Sequence, residues 1–499
     1  MEQAQKLKFD VIFTKLKPYG RYNLLIFLNY QLLWLGMSAA YDLAAFTNIG
    51  GLKPDYICHD AALSNETDKC ILLRNCTNLT IVSQFYSIYQ EFEWVCIDTA
   101  IPWSFASFNY LPSLVGSLVC GHLADRLGRK WLIFGGLCAY HILMLLTALA
   151  PTWHYLMIIG LASSLAWPVY ITCMFPLLME TIGKKHRLLQ SFALHWTLGY
   201  MVGGLLAYLI GNWRTLTYVG IVISLPSLIG FFLMEESPRW LIQKKQYKRA
   251  VGVLNRIAWW NGQKVRFTEE ELMDIDVGED PKAHITDAFK LFTNRKLFQY
   301  TIAVIAISFS IRIVWQVIFM NIQDLAGSPF MNVSLMGFLR VWAPIAIIAE
   351  RKFFWFGRRA QLLGSLSVVF LCFLFISGVY ASGYRENLHV ATTAMGLFGY
   401  TVSVSLARSA KDQVEAELFP TVIRATAASV FDVVGMVLGM VGPQLVYSRN
   451  YWNALPYIGA TAIIGVAFVF GFIFIPETRD RALPDTLKSA VINDKETTV

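Results

Sequence analysis

The sequence predicts an all-α membrane protein with twelve transmembrane helices in two pseudo-symmetric six-helix halves. Three observations carry this. Apolar runs long enough to cross a bilayer recur along most of the 499-residue chain. Basic residues gather in the short connections on one side, and charged loop patterns repeat in the same order in the two halves. Hydrophobic residues make up 56% of the chain and the mean hydropathy is +0.48, where a soluble domain has about 45–50% apolar residues. A run of about 20 apolar residues matches the ~30 Å hydrocarbon core. The net charge of +8 follows topology, because short cytoplasmic loops collect Lys and Arg. The expected partner is therefore the lipid bilayer and not nucleic acid.

Residues 1–21 are too polar to supply the apolar core of a signal peptide and read as a cytoplasmic N-terminal segment. Spans are expected at 22–46, 104–124, 131–150, 154–179, 189–210, 214–234, 298–320, 330–349, 361–381, 388–411, 425–446 and 453–475. Arg408 and Lys411 fall inside the tenth run. The halves are thus 22–234, with a large extracellular loop at 47–103, and 298–475. A cytoplasmic, partly helical connection, 235–297, joins them, and a cytoplasmic tail, 476–499, follows.

The loop at 47–103 holds Cys58, Cys70, Cys76 and Cys96 and the glycosylation sequons at Asn65, Asn75 and Asn78. Paired cysteines and acceptor asparagines both belong outside. Four cysteines allow three pairings, and all three stay open. A fourth sequon, at Asn332, follows the seventh span. Cys120, Cys138, Cys173 and Cys372 lie within spans and read as apolar residues.

On the inner side, Asp125, Arg126, Gly128, Arg129 and Lys130 follow the second span, and Gly357, Arg358 and Arg359 follow the eighth. Glu180 with Arg187 follows the fourth, and Glu417 with Arg424 the tenth. Glu236 with Arg239 follows the sixth, and Glu477 with Arg479 the twelfth. Basic loops alone explain the Lys and Arg but not the repeated acid-then-base spacing. Duplicated halves around a midplane site are a secondary-transporter architecture.

At these residues the chain resembles the major facilitator superfamily, and within it the organic cation, anion and zwitterion transporter family. Gly121 to Lys130 carries the superfamily's loop pattern almost intact. Phe9 and Asp10, Tyr19 to Tyr22, Lys53 to Cys58, Glu236 to Leu241, Glu417 to Thr421 and Pro476 to Thr478 follow in family order. The resemblance implies a multipass carrier that moves small organic ions across the plasma membrane by alternating access, with both termini cytoplasmic. It is not specific for substrate. A non-transporting sensor or scaffold of the same fold is the alternative, and a channel is disfavoured because charges are scattered and not ringed. No enzyme activity, cofactor or metal is expected, since no nucleophile motif, ligand spacing or phosphate loop is present.

The gating set expected from these patterns is Gly121, Asp125, Arg126, Gly128, Arg129, Glu180, Arg187, Glu236, Arg239, Glu417, Arg424 and Glu477. Gly121 is expected to allow close helix approach, Gly128 a tight turn, and the Glu180–Arg187 and Glu417–Arg424 pairs to act as inside-face ion pairs. Charged groups in spans are costly and demand a reason; Asp42, His195, Arg312, Arg340, Arg408 and Asp432 are such groups. The substrate-binding set expected is Asp432, Arg312, Trp315, Gln316, Phe175, Arg340 and Asp42. Trp315, Gln316 and Phe175 enter because the resemblance places an aromatic, a glutamine and an aromatic toward substrate there. Arg312 and Asp432 are placed to pair with each other in the empty state or to hold the two ends of a zwitterion.

The chain departs from the family at the slot that sorts cation from anion, which is Met436 here, with Asp432 one turn earlier. On the eighth span Trp342 stands where cation-type members have an acid, and Ala346 where anion-type members have a base. Substrate charge is therefore left open. The C-terminal Thr497, Thr498 and Val499 match the ending that a PDZ domain captures. If 47–103 is outside, glycosidase treatment shifts the protein's mobility on a gel, and replacing Asn65, Asn75 and Asn78 by Gln removes most of the shift. Glycan mapped to 235–297 instead would reverse the orientation.

Overall fold

The computed structural model describes residues 7–8, 12–17, 19–60, 69–94, 100–182, 194–273, 275–276, 291–292, 294–341, 357–419 and 421–478. Among them, twelve helical spans follow in the expected order. The first is Arg21–Gly36 with a π-helical continuation, Met37–Tyr41; the second is Ala100–Phe108 with Tyr110–Leu127. Arg129–Ala148, Trp153–Glu180 and Leu194–Ile210 are the third to fifth, and Trp213–Ser224 runs through a 3₁₀ turn to Gly230–Leu233 as the sixth. Arg295–Met320, Pro329–Leu339 and Arg358–Ser382 are the seventh to ninth. The tenth joins His389–Val402 to Arg408–Leu418 through a π-helical turn, Ser403–Ala407; the last two are Thr421–Gly439 with Val441–Tyr447, and Leu455–Phe474. Seven stretches among the described residues are long and apolar enough to span by length and composition alone.

Helix starts follow the expected capping chemistry. Thr152 accepts from the Tyr155 N–H, Ser237 from Trp240 with Pro238 in the first turn, and Asn294 from Lys296. Large apolar side chains stand outward on the spans, among them Leu209, Val222, Phe232, Leu371 and Ile473. In water these would be a liability, but against lipid they are the expected outer face. The charges within the tenth span are settled locally: Lys411 pairs with Asp412 and with Glu415, each at 2.8 Å.

The chain forms two compact units. One comprises residues 1–42, 111–199 and 214–280; the other comprises 43–110, 200–213 and 281–499. In the first, the connection after the sixth span carries helices Pro238–Gln243, Tyr247–Trp260 and Glu269–Met273. Their apolar faces, with Leu241, Leu254, Ile257 and Leu272, share a core with Ile12 and Leu16 of the N-terminal segment. That segment is tied down further. Leu7–Lys8 pairs in parallel with Ile275–Asp276, Lys15 bridges Glu271 at 2.9 Å, and the Tyr22 N–H donates to Asn261 Oδ1 at 3.0 Å.

In the second unit, strands Asp55–Cys58 and Leu79–Val82 pair antiparallel, and Cys58 is disulfide-bonded to Cys76. Cys70 is also disulfide-bonded. Asn75 and Asn78 are exposed beside this hairpin, while Cys96 and Asn65 lie outside the described residues. Asn332 is a correction to the sequon pattern: it is 5% exposed and donates to the Ala326 carbonyl at 3.1 Å. An asparagine spent inside a helix packing is not available to a glycan. The core of this unit is built from Val304, Ile307, Leu366, Val414, Phe419 and Ala467.

Candidate functional site

Two matching carboxylate caps sit where the inner-loop patterns repeat. In the first unit, Glu236 accepts from the N–H groups of Arg129 at 2.9 Å and Lys130 at 3.2 Å, the first residues of the third span. The Ser237 hydroxyl donates to Glu180 at 2.5 Å, and Glu180 forms an ion pair with Arg129. In the second unit, Glu477 accepts from Arg358 at 2.9 Å and Arg359 at 3.2 Å, the first residues of the ninth span. The Thr478 hydroxyl donates to Glu417 at 2.5 Å, and Glu417 faces Arg358 at 3.5 Å. The same three contacts recur with the same chemistry: acid on helix start, hydroxyl on second acid, second acid on arginine. A helix N-terminus leaves its first N–H groups unpaired and carries partial positive charge, so a carboxylate there satisfies both.

Gly128 explains why this site begins with glycine. Its φ is +93°, and a Cβ there would also overlap the Glu236 carboxylate. Gly121 differs from expectation. A Cβ there would meet nothing within 4 Å, whereas Gly116, on the same helix, stands against the Leu165 backbone. The close approach of the second and fourth spans is made there instead. The ion pairs also differ from the expected ones: the described partner of Glu180 is Arg129 and that of Glu417 is Arg358. Arg187 lies outside the described residues, as do the side chains of Asp125 and Arg424. Arg126 is exposed and Arg239 half-buried.

Deeper in the first unit lies an aromatic group the sequence reading missed. Trp34 packs edge-on against Trp167 at 4.6 Å, stacks on His195 at 5.0 Å and leans on Trp196 at 5.2 Å. Tyr30 meets His195 edge-on at 5.6 Å, and Tyr140 extends the group from Trp167 to Tyr41. Gln31 Oε1 accepts from the His195 backbone N–H at 3.0 Å and lies 2.7 Å from Nδ1, which places the ring proton on Nδ1. The available signal was the spacing of Tyr30, Trp34 and Ser38, four residues apart on one helix face. Asp42, half-buried, follows Tyr41 one helical turn and more beyond Ser38. The side chain of Phe175 lies outside the described residues.

In the second unit a polar face joins the seventh and eleventh spans. Gln316 is fully buried, and its Nε2 donates to Tyr110 Oη at 2.6 Å and to the Gly439 carbonyl at 3.0 Å. A methyl group at Gly442 would overlap its carboxamide. The Gln316 amide nitrogen is thus spent on packing, while its buried Oε1 has no hydrogen-bond partner among the described residues. Arg312 lays its stem against Gly439 and its guanidinium over Gly435, one turn from Asp432. Asp432 stands within electrostatic reach of Lys411, Arg312 and Arg408. It is exposed, as is Arg408, and no ion pair joins Asp432 to Arg312 among the described residues. The expected buried pair is therefore an open, charged face. Trp315 is half-buried and stacks on Phe319 at 5.5 Å. Arg340 ends the eighth helix, apart from this face in sequence, and Trp342 and Ala346 lie outside the described residues.

Residues 73–486 match the model of the family described as "Sugar (and other) transporter". Solute carrier family 22 member 1 of Bos taurus is 28% identical over 412 residues, 81% of this chain and 70% of that protein. Solute carrier family 22 member 15-like of Xenopus laevis is 27% identical over 443 residues, 88% of each chain. Among solved structures, the partially occluded inward-open xylose transporter XylE from E. coli superposes with a TM-score of 0.64 at 16% identity, covering 93% of this chain and 100% of that one. The D-xylose-proton symporter does so with a TM-score of 0.60 at 14% identity, covering 93% and 99%. Those two show the shared major facilitator fold.

The caps generate a stability prediction. Glu236→Ala and Glu477→Ala each strand two helix-start N–H groups, at a cost of about 1–3 kcal/mol. Glu→Gln at the same positions, which keeps an acceptor, costs less. Thermal unfolding of the purified protein in detergent measures the order, and equal unfolding temperatures for Ala and Gln variants would refute the capping role.

Proposed function

The chain belongs to the sugar (and other) transporter family and is a membrane secondary transporter, and from that premise we propose that it carries small organic ions across the plasma membrane by alternating access. The observation that carries the reading is the open charged face of the second unit, where Asp432 stands in reach of Lys411, Arg312 and Arg408. Unpaired charge in a span is expensive and is kept where it meets water or cargo. One carboxylate beside two guanidinium groups suits a zwitterion, or an ion of either sign held at one end. The aromatic group around Trp34 supports an organic cargo, since indole and phenol faces take apolar bodies and attract cations. The solute carrier family 22 relatives favour the same class.

Redox chemistry supports the orientation. A disulfide such as Cys58–Cys76 belongs on the outside, and this favours a cytoplasmic place for the connection after the sixth span and for both termini. The gating set would then act at the cytoplasmic face. The Glu236 and Glu477 caps hold helix starts in place there, and the arginines of the two ion pairs are the contacts open to change. The tail ending in Val499 lies outside the described residues; as a PDZ ligand it would govern surface retention, and deleting Thr497 to Val499 should lower surface levels without altering uptake per surface molecule.

Uptake of cationic, anionic and zwitterionic panels into cells expressing the protein tests the transport reading. Asp432→Asn is expected to reduce cation and zwitterion uptake about tenfold, and Arg312→Gln anion and zwitterion uptake likewise, a loss of roughly 1.4 kcal/mol each. Because the two groups are not in contact, the double-mutant cycle should show coupling below about 1 kcal/mol. Wild-type uptake of all three panels in both variants at equal surface levels would remove this face from the binding site.

A further inference from the structure

A polar cavity lies at the ends of the seventh, ninth, eleventh and twelfth spans, all within the second unit. It has a volume of about 320 Å³ and is lined by Asp324, Arg385, Arg449, Asn453, Tyr380 and Tyr457, among others. The adjoining connection after the seventh span meets the disulfide-bonded loop, since the Lys53 N–H donates to Gln323 Oε1 at 3.2 Å. The cavity is therefore on the disulfide-bearing, outer face.

Its charge does not balance. Asp324 is the single carboxylate of the lining, and it is shared by two arginines. Arg449 pairs with it and donates to Asn321 Oδ1 at 2.8 Å; Arg385 stands 3.9 Å from its carboxylate and donates to its backbone carbonyl at 3.1 Å. That carbonyl also meets His389 Nε2 at 2.8 Å. These contacts use one nitrogen of each guanidinium. Among the described residues, Nε and Nη2 of Arg449 and Nε and Nη1 of Arg385 have no hydrogen-bond partner. Two guanidinium groups with free forks and one excess positive charge form a carboxylate receptor, because planar N–H pairs match carboxylate oxygens two by two. The Arg385 guanidinium is held in place over the Tyr380 ring at 5.2 Å, and the Tyr380 and Tyr457 rings lie 4.5 Å apart. These rings give an organic body something to lie on. The volume is at the small end of ligand pockets.

We infer that this cavity binds a small organic carboxylate from the outer solution, with its carboxylate on Arg385 and Arg449 and its body on the tyrosines. The site is separate from the charged face at Asp432, and a protein that transported nothing would still have it. Benzoate is a suitable probe, with benzamide as its neutral counterpart. The purified full-length protein is heated in detergent with each, at constant ionic strength set with sodium chloride. A rise in unfolding temperature that saturates with benzoate, is absent with benzamide and is lost in Arg385→Gln and Arg449→Gln is the expected result. Should Arg449→Gln not fold, for want of its bond to Asp324, Arg385→Gln alone decides. No saturable shift, an equal shift with benzamide, or a shift retained in a folded arginine variant overturns the proposal; in the last case benzoate binds elsewhere, as at the transport site.

Discussion

Hydrocarbon offers no hydrogen-bond partner, so the peptide groups of each span have to be satisfied within the chain. Inside a helix this is automatic. At a helix start it is not, because the first N–H groups have no carbonyl behind them. The third and ninth spans meet this with side chains brought from far along the chain, Glu236 and Glu477. Each of these acids reaches back about a hundred residues of sequence, so the cap also fastens the end of one helix to the beginning of another. The residues around it then have little freedom. Gly128 must turn with positive φ and no side chain to leave room for the acid, and Ser237 and Thr478 are positioned to bind the next carboxylate along.

The repetition of this arrangement gives the duplicated loop patterns a physical meaning. Acid, hydroxyl and arginine recur because the same local problem, an unsatisfied helix start, occurs twice. Basic loops by themselves ask only for positive charge. The acids are retained because an N–H group needs an acceptor and an arginine near hydrocarbon needs a counter-charge. Glu180 and Glu417 fill that second role, each beside the arginine that opens the preceding helix.

Charge in the middle of the spans is handled in two ways. On the tenth span Lys411 is neutralised by Asp412 and Glu415 within one turn of itself. At Asp432 and Arg408 the charge is left open, with Arg312 laid along glycines nearby. The first kind is satisfied within its own helix, and the second stays exposed. Gln316 shows the opposite of what its residue type suggests. The nitrogen of this buried amide is used by a hydroxyl and a carbonyl in reach, and its glycine neighbours make the space. The aromatic group around Trp34 is the reverse case, several rings from four helices meeting where no single stretch of sequence is unusual.

Spans, their order, the repeated inner-loop patterns and the position of the cysteine-bearing loop were all legible in the sequence, because hydropathy, charge bias and spacing are local properties and the bilayer reads them locally. The capping acids were also legible as residues, since an acid recurring in a basic loop needs an explanation. Their partners were not. Glu180 had a nearer arginine in sequence at Arg187, yet the described ion pair is with Arg129, for helix packing sets which ends meet. Asn332 carried a valid sequon and was buried by the turn before its helix. Asp432 and Arg312 stand out in the sequence as charges within spans, but whether they touch depends on where glycines let the arginine lie. Sequence determined what each residue can do alone and which stretches are apolar enough to span. Tertiary structure decided which side chains are spent on one another and which remain free, because that depends on distances set by packing between helices far apart in the chain.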